Sequence, residues 1–281
     1  RIPFPPNKGD KIRSCHILKY LCERHDVYMG CFVDDPDDME FISHVSELCT
    51  DAVFIPINRK WATLKSVKGL VNGRSLSMSF YENKRMRAWV ERIVDRISFD
   101  ATYIFSSTMA PYALDIKPVS PLTLMDFVDV DSKKWAQYAK AKPWPLSWVY
   151  KREAERLLFE EKQIAKRVDH CLFVSETEAE LFRTLEPDAL HVRALRNGVD
   201  LTAFNRANTD DIDLGEGPIV CFTGAMDYWA NVDAVTWFVE KCWPDILIQY
   251  PRAQFYIVGS NPNSKVQSLA RAQIQITGRV E

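Results

Sequence analysis

The segment from Ile219 to Phe238, IVCFTGAMDYWANVDAVTWF, constrains this chain more than any other. Ile219, Val220, Cys221 and Phe222 form an uncharged apolar run, as expected of a strand covered on both faces of a parallel sheet, and Gly224 ends it. Val232, Val235, Trp237, Phe238 and Val239 then recur at roughly helical spacing, with Asn231 placed to act as N-cap. A strand that stops at glycine and feeds a helix turns free backbone N–H groups and the positive helix end toward the sheet's carboxyl edge, where phosphates bind. The same pattern also serves as a plain βαβ turn, so on its own it leaves both readings open.

With 281 residues the chain has room for two domains of ordinary size. A net charge of −2 gives no global reason to expect nucleic acid as a partner. No apolar run approaches the roughly 20 residues needed to cross a bilayer, and no secretory segment opens the sequence. The seven cysteines are scattered through expected helices and strands without a CxxC, which predicts buried thiols in a reducing cytoplasm rather than disulfides or zinc ligands. The chain opens without methionine and closes immediately after an expected strand, so it is expected to be a fragment at both ends.

Alternating periodicities run along the remainder. Helices are expected over Lys11–Arg24, Pro36–Leu48, Ser147–Val168, Glu176–Leu185 and Ser264–Ala270, and strands over Val27–Val33, Ala52–Ile57, Asp100–Phe105, Leu122–Phe127, His170–Val174, Ala253–Val258 and Gln273–Thr277. Ser175 and Glu178 have the spacing of a capping box. The polar stretch 205–217 reads as a linker between an N-terminal domain, 1–204, whose first strand is missing, and a partial C-terminal domain, 218–281. Before the first helix, Gly9 allows close approach to a phosphate or sugar with Lys8 and Arg13 supplying charge; a helix-start turn with two solvated cations is the plainer alternative.

Two further features bear on chemistry. From Arg59 to Ile97, ten Lys and Arg residues face only Glu82, Glu91 and Asp95, interleaved with Trp61, Leu64, Val67, Leu70, Phe80, Tyr81 and Trp89. Such a segment suits an anionic membrane surface or a lipid-linked phosphate, and it equally suits a solvated helix face over an ordinary core. Asp126 stands at the carboxyl end of an apolar strand, where a carboxylate is costly unless it is hydrogen-bonded or has catalytic work. Asp129 and Asp131 make a D-x-D, a spacing used to hold a metal on a nucleotide diphosphate, but helix capping or solvated loop carboxylates are the plainer reading, and no metal is expected. There is no G-x-G-x-x-G, H-E-x-x-H, G-x-S-x-G or Walker A pattern, which leaves dehydrogenase, zinc-peptidase, α/β-hydrolase and P-loop readings without an anchor.

Taken in order, PPNKGDKIR, FVSETEAELF, NGVDLTAF, FTGAMDYWANVDAVTWF, the P-x-A-x-F-x-I-V-G of Pro251 to Gly259, and ITGRVE resemble the glycosyltransferases of family 4. The nearest likeness is to the sugar transferases of bacterial exopolysaccharide and PEP-CTERM export systems. The resemblance implies an α/β fold of GT-B type, two Rossmann-like domains with parallel sheets, the C-terminal one incomplete here. It also implies transfer of a sugar from a nucleotide diphosphate donor, with retention of configuration, to a glycan or polyprenyl-linked acceptor. The setting would be cytoplasmic, at the membrane's inner face, with no cofactor. By position, Gly224 would admit the donor diphosphate, Gly278, Arg279 and Val280 would lie beside the nucleobase, and the Lys8–Gly9 loop with Arg13 would approach donor phosphate or acceptor. Asp126 would be catalytic, facing the reacting sugar.

The sequence departs from that family in two ways. The arginine and lysine that many members place after the strand glycine fall at Met226 and Asn231, so Asn231, the helix dipole or a cation from elsewhere would have to stabilise the leaving diphosphate. The family's paired glutamates would lie downstream of Glu281. The chain as given is therefore expected to lack transferase activity and to gain little thermal stability from donor. A nucleotide-sugar epimerase of the same fold and a non-catalytic nucleotide-sugar or carbohydrate binding protein are the alternatives.

Overall fold

In the computed structural model, which describes residues 1–6, 9–116, 119–202, 204–205 and 217–280, the apolar runs become nine parallel strands in three sheets. The chain separates into two compact units, 1–199 and 200–281. In the first unit, α1 (Gly9–Cys22) leads into β1 (Tyr28–Val33), a 3-10 turn and α2 (Ile42–Leu48), then β2 (Asp51–Pro56), which pairs with β1. Four short helices follow, α3 (Arg59–Ser66), α4 (Lys68–Val71), α5 (Leu76–Phe80) and α6 (Lys84–Val94).

A second, four-stranded sheet is built in sequence order from β3 (Ala101–Phe105), β4 (Leu122–Val128), β5 (His170–Phe173) and β6 (Val192–Ala194). Between its strands lie α7 (Ala110–Leu114), α8 (Asp131–Lys140), α9 (Leu146–Ala165) and α10 (Glu176–Leu185). Its core gathers Met125, Phe127, Leu157, Phe173 and Phe182, with Phe127 and Phe173 stacked at 5.2 Å. Ser175 caps α10 by accepting from the Glu178 amide, but the Glu178 carboxylate accepts from the Val130 N–H instead of reaching back, so only half of the expected capping box forms.

The second unit contains β7 (Ile219–Thr223), α11 (Trp229–Lys241), α12 (Trp243–Gln249), β8 (Gln254–Val258), α13 (Ser264–Gln267) and β9 (Ile274–Gly278). Its strands run parallel in the order β7-β8-β9 over a core of Val235, Trp243, Phe255 and Ile257. Two expectations are corrected here. β7 lies at an edge and is not covered on both faces: Ile219, Cys221 and Thr223 are exposed. Asn231 is not the N-cap of α11, because the chain enters the helix at Trp229 and Tyr228 takes the cap position without a side-chain hydrogen bond to the helix's first N–H groups.

Candidate functional site

A parallel sheet brings the carboxyl ends of its strands to one edge, and in the second unit each of those ends carries a glycine. Gly224 follows β7, Gly259 follows β8 and Gly278 closes β9. The three turns are tied in series: the Gly224 N–H donates to the Val258 carbonyl at 3.0 Å, and the Gly259 N–H to the Gly278 carbonyl at 2.9 Å. Close backbone approach makes Gly259 obligatory, while at Gly224 the crowding is with a side chain. At Gly259, with φ 154°, a Cβ would stand 1.6 Å from the Gly224 carbonyl oxygen, and at Gly224 it would stand 2.6 Å from Nδ2 of Asn231.

Asn231 lies in the first turn of α11 and donates from Nδ2 to the Ala225 carbonyl at 3.0 Å, which fixes the turn between strand and helix. Met226 is fully buried in the unit's core, and its N–H donates to the Ser260 carbonyl at 2.8 Å. Asp227 beside it is exposed and accepts from Asn261. Arg279 and Val280 are exposed directly after Gly278; among the described residues of the three turns, 224–227, 259–262 and 278–280, Arg279 is the one cation. The edge thus offers backbone groups, the amino end of α11 and a single arginine. Gly259 was missed as a site residue; the signal was the uncharged run QFYIV stopping at glycine, the same pattern that marks Gly224.

In the first unit the structure brings Asp126 and Arg13 together. Arg13, 4% exposed, donates from Nε and Nη2 to the two carboxylate oxygens at 2.8 and 3.1 Å, and from Nη1 to the Leu195 carbonyl and to Asn197 Oδ1 at 2.5 and 2.9 Å. Asp126, with no exposed surface, also accepts from the Tyr103 hydroxyl and the Val128 N–H. Burial, then the Asp126 charge, pushes the Tyr103 phenol up, which keeps it a proton donor to the carboxylate. Asp126 is therefore enclosed and hydrogen-bonded, one of the two outcomes expected of a carboxylate on an apolar strand, and the Arg13 guanidinium is engaged on all three nitrogens by the protein itself. Gly9 opens α1 with free space where a Cβ would stand, while Lys8 lies outside the described residues.

Backbone strain gathers at this same edge. Ser106, after β3, has φ 73°, and Val128, at the end of β4, has φ 67° beside a register irregularity between Asp126 and Val128. A β-branched residue at positive φ is a genuine outlier, held in place by its surroundings. Asp129 and Asp131 are both bridged by Lys134, at 2.7 and 3.2 Å, which offsets the charge a cation would seek. Among the described residues no group of three His, Cys, Asp or Glu is placed to hold a metal ion. A cavity of about 440 Å³ opens at the carboxyl end of β2, walled by Ile57, Asn58, Trp61, Lys65, Lys68 and Tyr81.

Comparison with known proteins bears on both units. Residues 217–281 match the family model of the group 1 glycosyl transferases. Curated protein sequences give no match. Among solved structures, sucrose-phosphate synthase from Thermosynechococcus elongatus superposes with a TM-score of 0.57 at 17% identity, over 98% of this chain and 66% of that one. Anabaena Alr3699/HepE, solved in complex with UDP and glucose, gives the same TM-score and the same coverages at 11% identity. The chain thus spans just under two thirds of the length of these structural relatives. It has an α/β, GT-B-type fold of parallel sheets, and its C-terminal unit, with the three-glycine edge, is similar to the group 1 glycosyl transferases.

Proposed function

We propose that the chain is the greater part of a retaining glycosyltransferase, moving a sugar from a nucleotide diphosphate donor to a glycan or polyprenyl-linked acceptor in exopolysaccharide biosynthesis at the cytoplasmic face of a membrane. The observation that carries the proposal is coincidence of place: the glycosyl transferase match covers 217–281, and the three-glycine edge lies within it. In this reading the Gly224 and Gly259 turns admit the diphosphate to backbone N–H groups. The amino end of α11 and Arg279 supply positive potential as charge builds on the leaving group. Backbone groups of Gly278 to Val280 lie beside the base. Asn231 acts by holding the 225–231 turn, and Gly9, in the first unit, leaves open space for a phosphate or acceptor to approach. Asp126 acts as a positioning residue, fixing Arg13 and through it the 195–197 segment. No step requires a metal.

The test is turnover by the polypeptide its gene encodes, supplied with nucleotide diphosphate sugars with and without lipid-linked and glycan acceptors. The proposal expects acceptor-dependent release of nucleotide diphosphate and a product with the donor's anomeric configuration. Conversion of donor alone to an epimer would favour the epimerase reading, and binding without turnover would favour a binding protein.

A further inference from the structure

The basic region after β2 divides in the structure. α6 is an ordinary core helix, burying Met86, Trp89 and Ile93 and turning its charges outward. α3 and α4 do the reverse. With Val67 in helical conformation between them, they bury the small residues Ser66 and Gly69 and keep Ala62 half-covered, and a Cβ on Gly69 would stand 2.8 Å from Ser79 Oγ. Helical spacing puts the large apolar residues on the opposite side, where Trp61 is 70% exposed, Leu64 63%, Val67 49% and Val71 87%. Lys60 and Lys68 are exposed on that same side, and Lys65 flanks it.

A second surface of the same kind adjoins it. The loop into α9 and its first turn expose Trp144, Leu146 and Trp148, with Lys140, Lys142 and Lys151 also exposed. One turn beyond Trp148, Arg152 donates to the carbonyls of Gly69 at 2.8 Å, Leu70 at 3.3 Å and Arg74 at 3.3 Å, which clamps the start of α9 to the end of α4. Both segments are free of acid: no Asp or Glu occurs between Asp51 and Glu82, against five Lys and Arg, or between Asp131 and Glu153, against six. Arg59, Arg74 and Lys134 pair with Asp34, with Glu160 and with Asp129 and Asp131, but large apolar side chains held in water among exposed lysines mark an interaction surface, and this chemistry matches the boundary of an anionic bilayer: indoles at the headgroup level, ammonium groups on lipid phosphates.

We infer that α3–α4 and the start of α9 form one membrane-docking surface for anionic lipid. The inference is independent of the donor reading, because it needs only the first unit. Cosedimentation of the protein with vesicles of phosphatidylcholine and phosphatidylglycerol in equal parts, against phosphatidylcholine alone, tests it. Binding is expected to the mixed vesicles, to weaken with salt, and to fall about fivefold for each charge lost in Lys60→Ala or Lys68→Ala. The pairs Trp61→Ala with Leu64→Ala, and Trp144→Ala with Trp148→Ala, should each lower it about tenfold. Both pairs are exposed, and unchanged circular dichroism would show that the fold persists. Arg85→Ala with Arg92→Ala on α6 should change binding less than about twofold. Equal binding to both vesicle types, loss of binding only in the α6 pair, or a self-association abolished by Trp61→Ala without any lipid binding would each overturn the inference.

Discussion

Arg13 and Asp126 stand 113 residues apart in sequence and share a buried, two-point ion pair. The apolar strand around Asp126 was enough to show that its carboxylate had to be answered, but nothing near it in sequence names Arg13 as the answer. Nor did Arg13, one of several cations in the first helix, show itself as the residue that goes inside. The pairing changes what substitution should do. In an enzyme whose aspartate faced solvent, Asp126→Ala would remove activity and spare the fold; here Asp126→Asn leaves the Arg13 charge buried with a weakened partner. A loss of about 3–5 kcal/mol is expected, a fall in Tm of roughly 10 °C for a unit of this size. Arg13→Gln should cost a similar amount, and the double variant less than the sum of the two. Thermal unfolding of the four proteins measures this, and additive effects would show that the pair is not coupled.

α9 shows the same lesson at the scale of an element. Its Glu and Arg content suggests a solvated surface helix, yet three of its glutamates serve the amino ends of other helices. Glu153, fully buried, accepts from the N–H groups of Leu76 and Ser77 at 2.6 and 2.8 Å, and Glu160 accepts from Ser75, both at α5. Glu161 accepts from the Ser132 N–H and hydroxyl at 3.2 and 2.6 Å, at the start of α8. Helical periodicity located α9 to within a few residues, but it cannot tell a charge turned to water from one turned to a neighbour's amino end. Burial above all, and Asp131 nearby, raise the Glu161 carboxyl to about 8, so it is protonated in the folded chain at neutral pH. Because the folded value exceeds the unfolded one, its contribution to stability is complete below about pH 4.3 and is lost as pH rises through about 8. Glu161→Gln should mimic the protonated side chain and flatten the fall in Tm across that window. A variant whose Tm declines as steeply as that of the parent would show that Glu161 does not titrate there.

For the whole molecule, the order of the strands was legible because parallel α/β units repeat the same signal, an apolar run, a break, then helical spacing, whereas the helices α3 to α8 and α12 were not placed. The α10 bounds, Glu176–Leu185, agree at both ends because a capping serine fixes the start. The entry to α11 was placed too late because Tyr228 makes no side-chain cap hydrogen bond and left no mark in the sequence. The glycine edge was partly legible, since each glycine ends an apolar run, but the contact that makes Gly259 obligatory joins two strands and belongs to no single segment. Among the described residues no helix is long and apolar enough to cross a membrane.

Everything proposed for the second unit rests on a nucleotide diphosphate sugar binding at the glycine edge of β7, β8 and β9. Hydrogen exchange on the polypeptide its gene encodes, with and without UDP-sugar and other nucleotide sugars, tests it most directly. Slowed exchange is expected, concentrated in the turns 224–227, 259–262 and 278–280 and in the first turn of α11. Protection by a donor confined to other segments, with these turns unchanged, would contradict it.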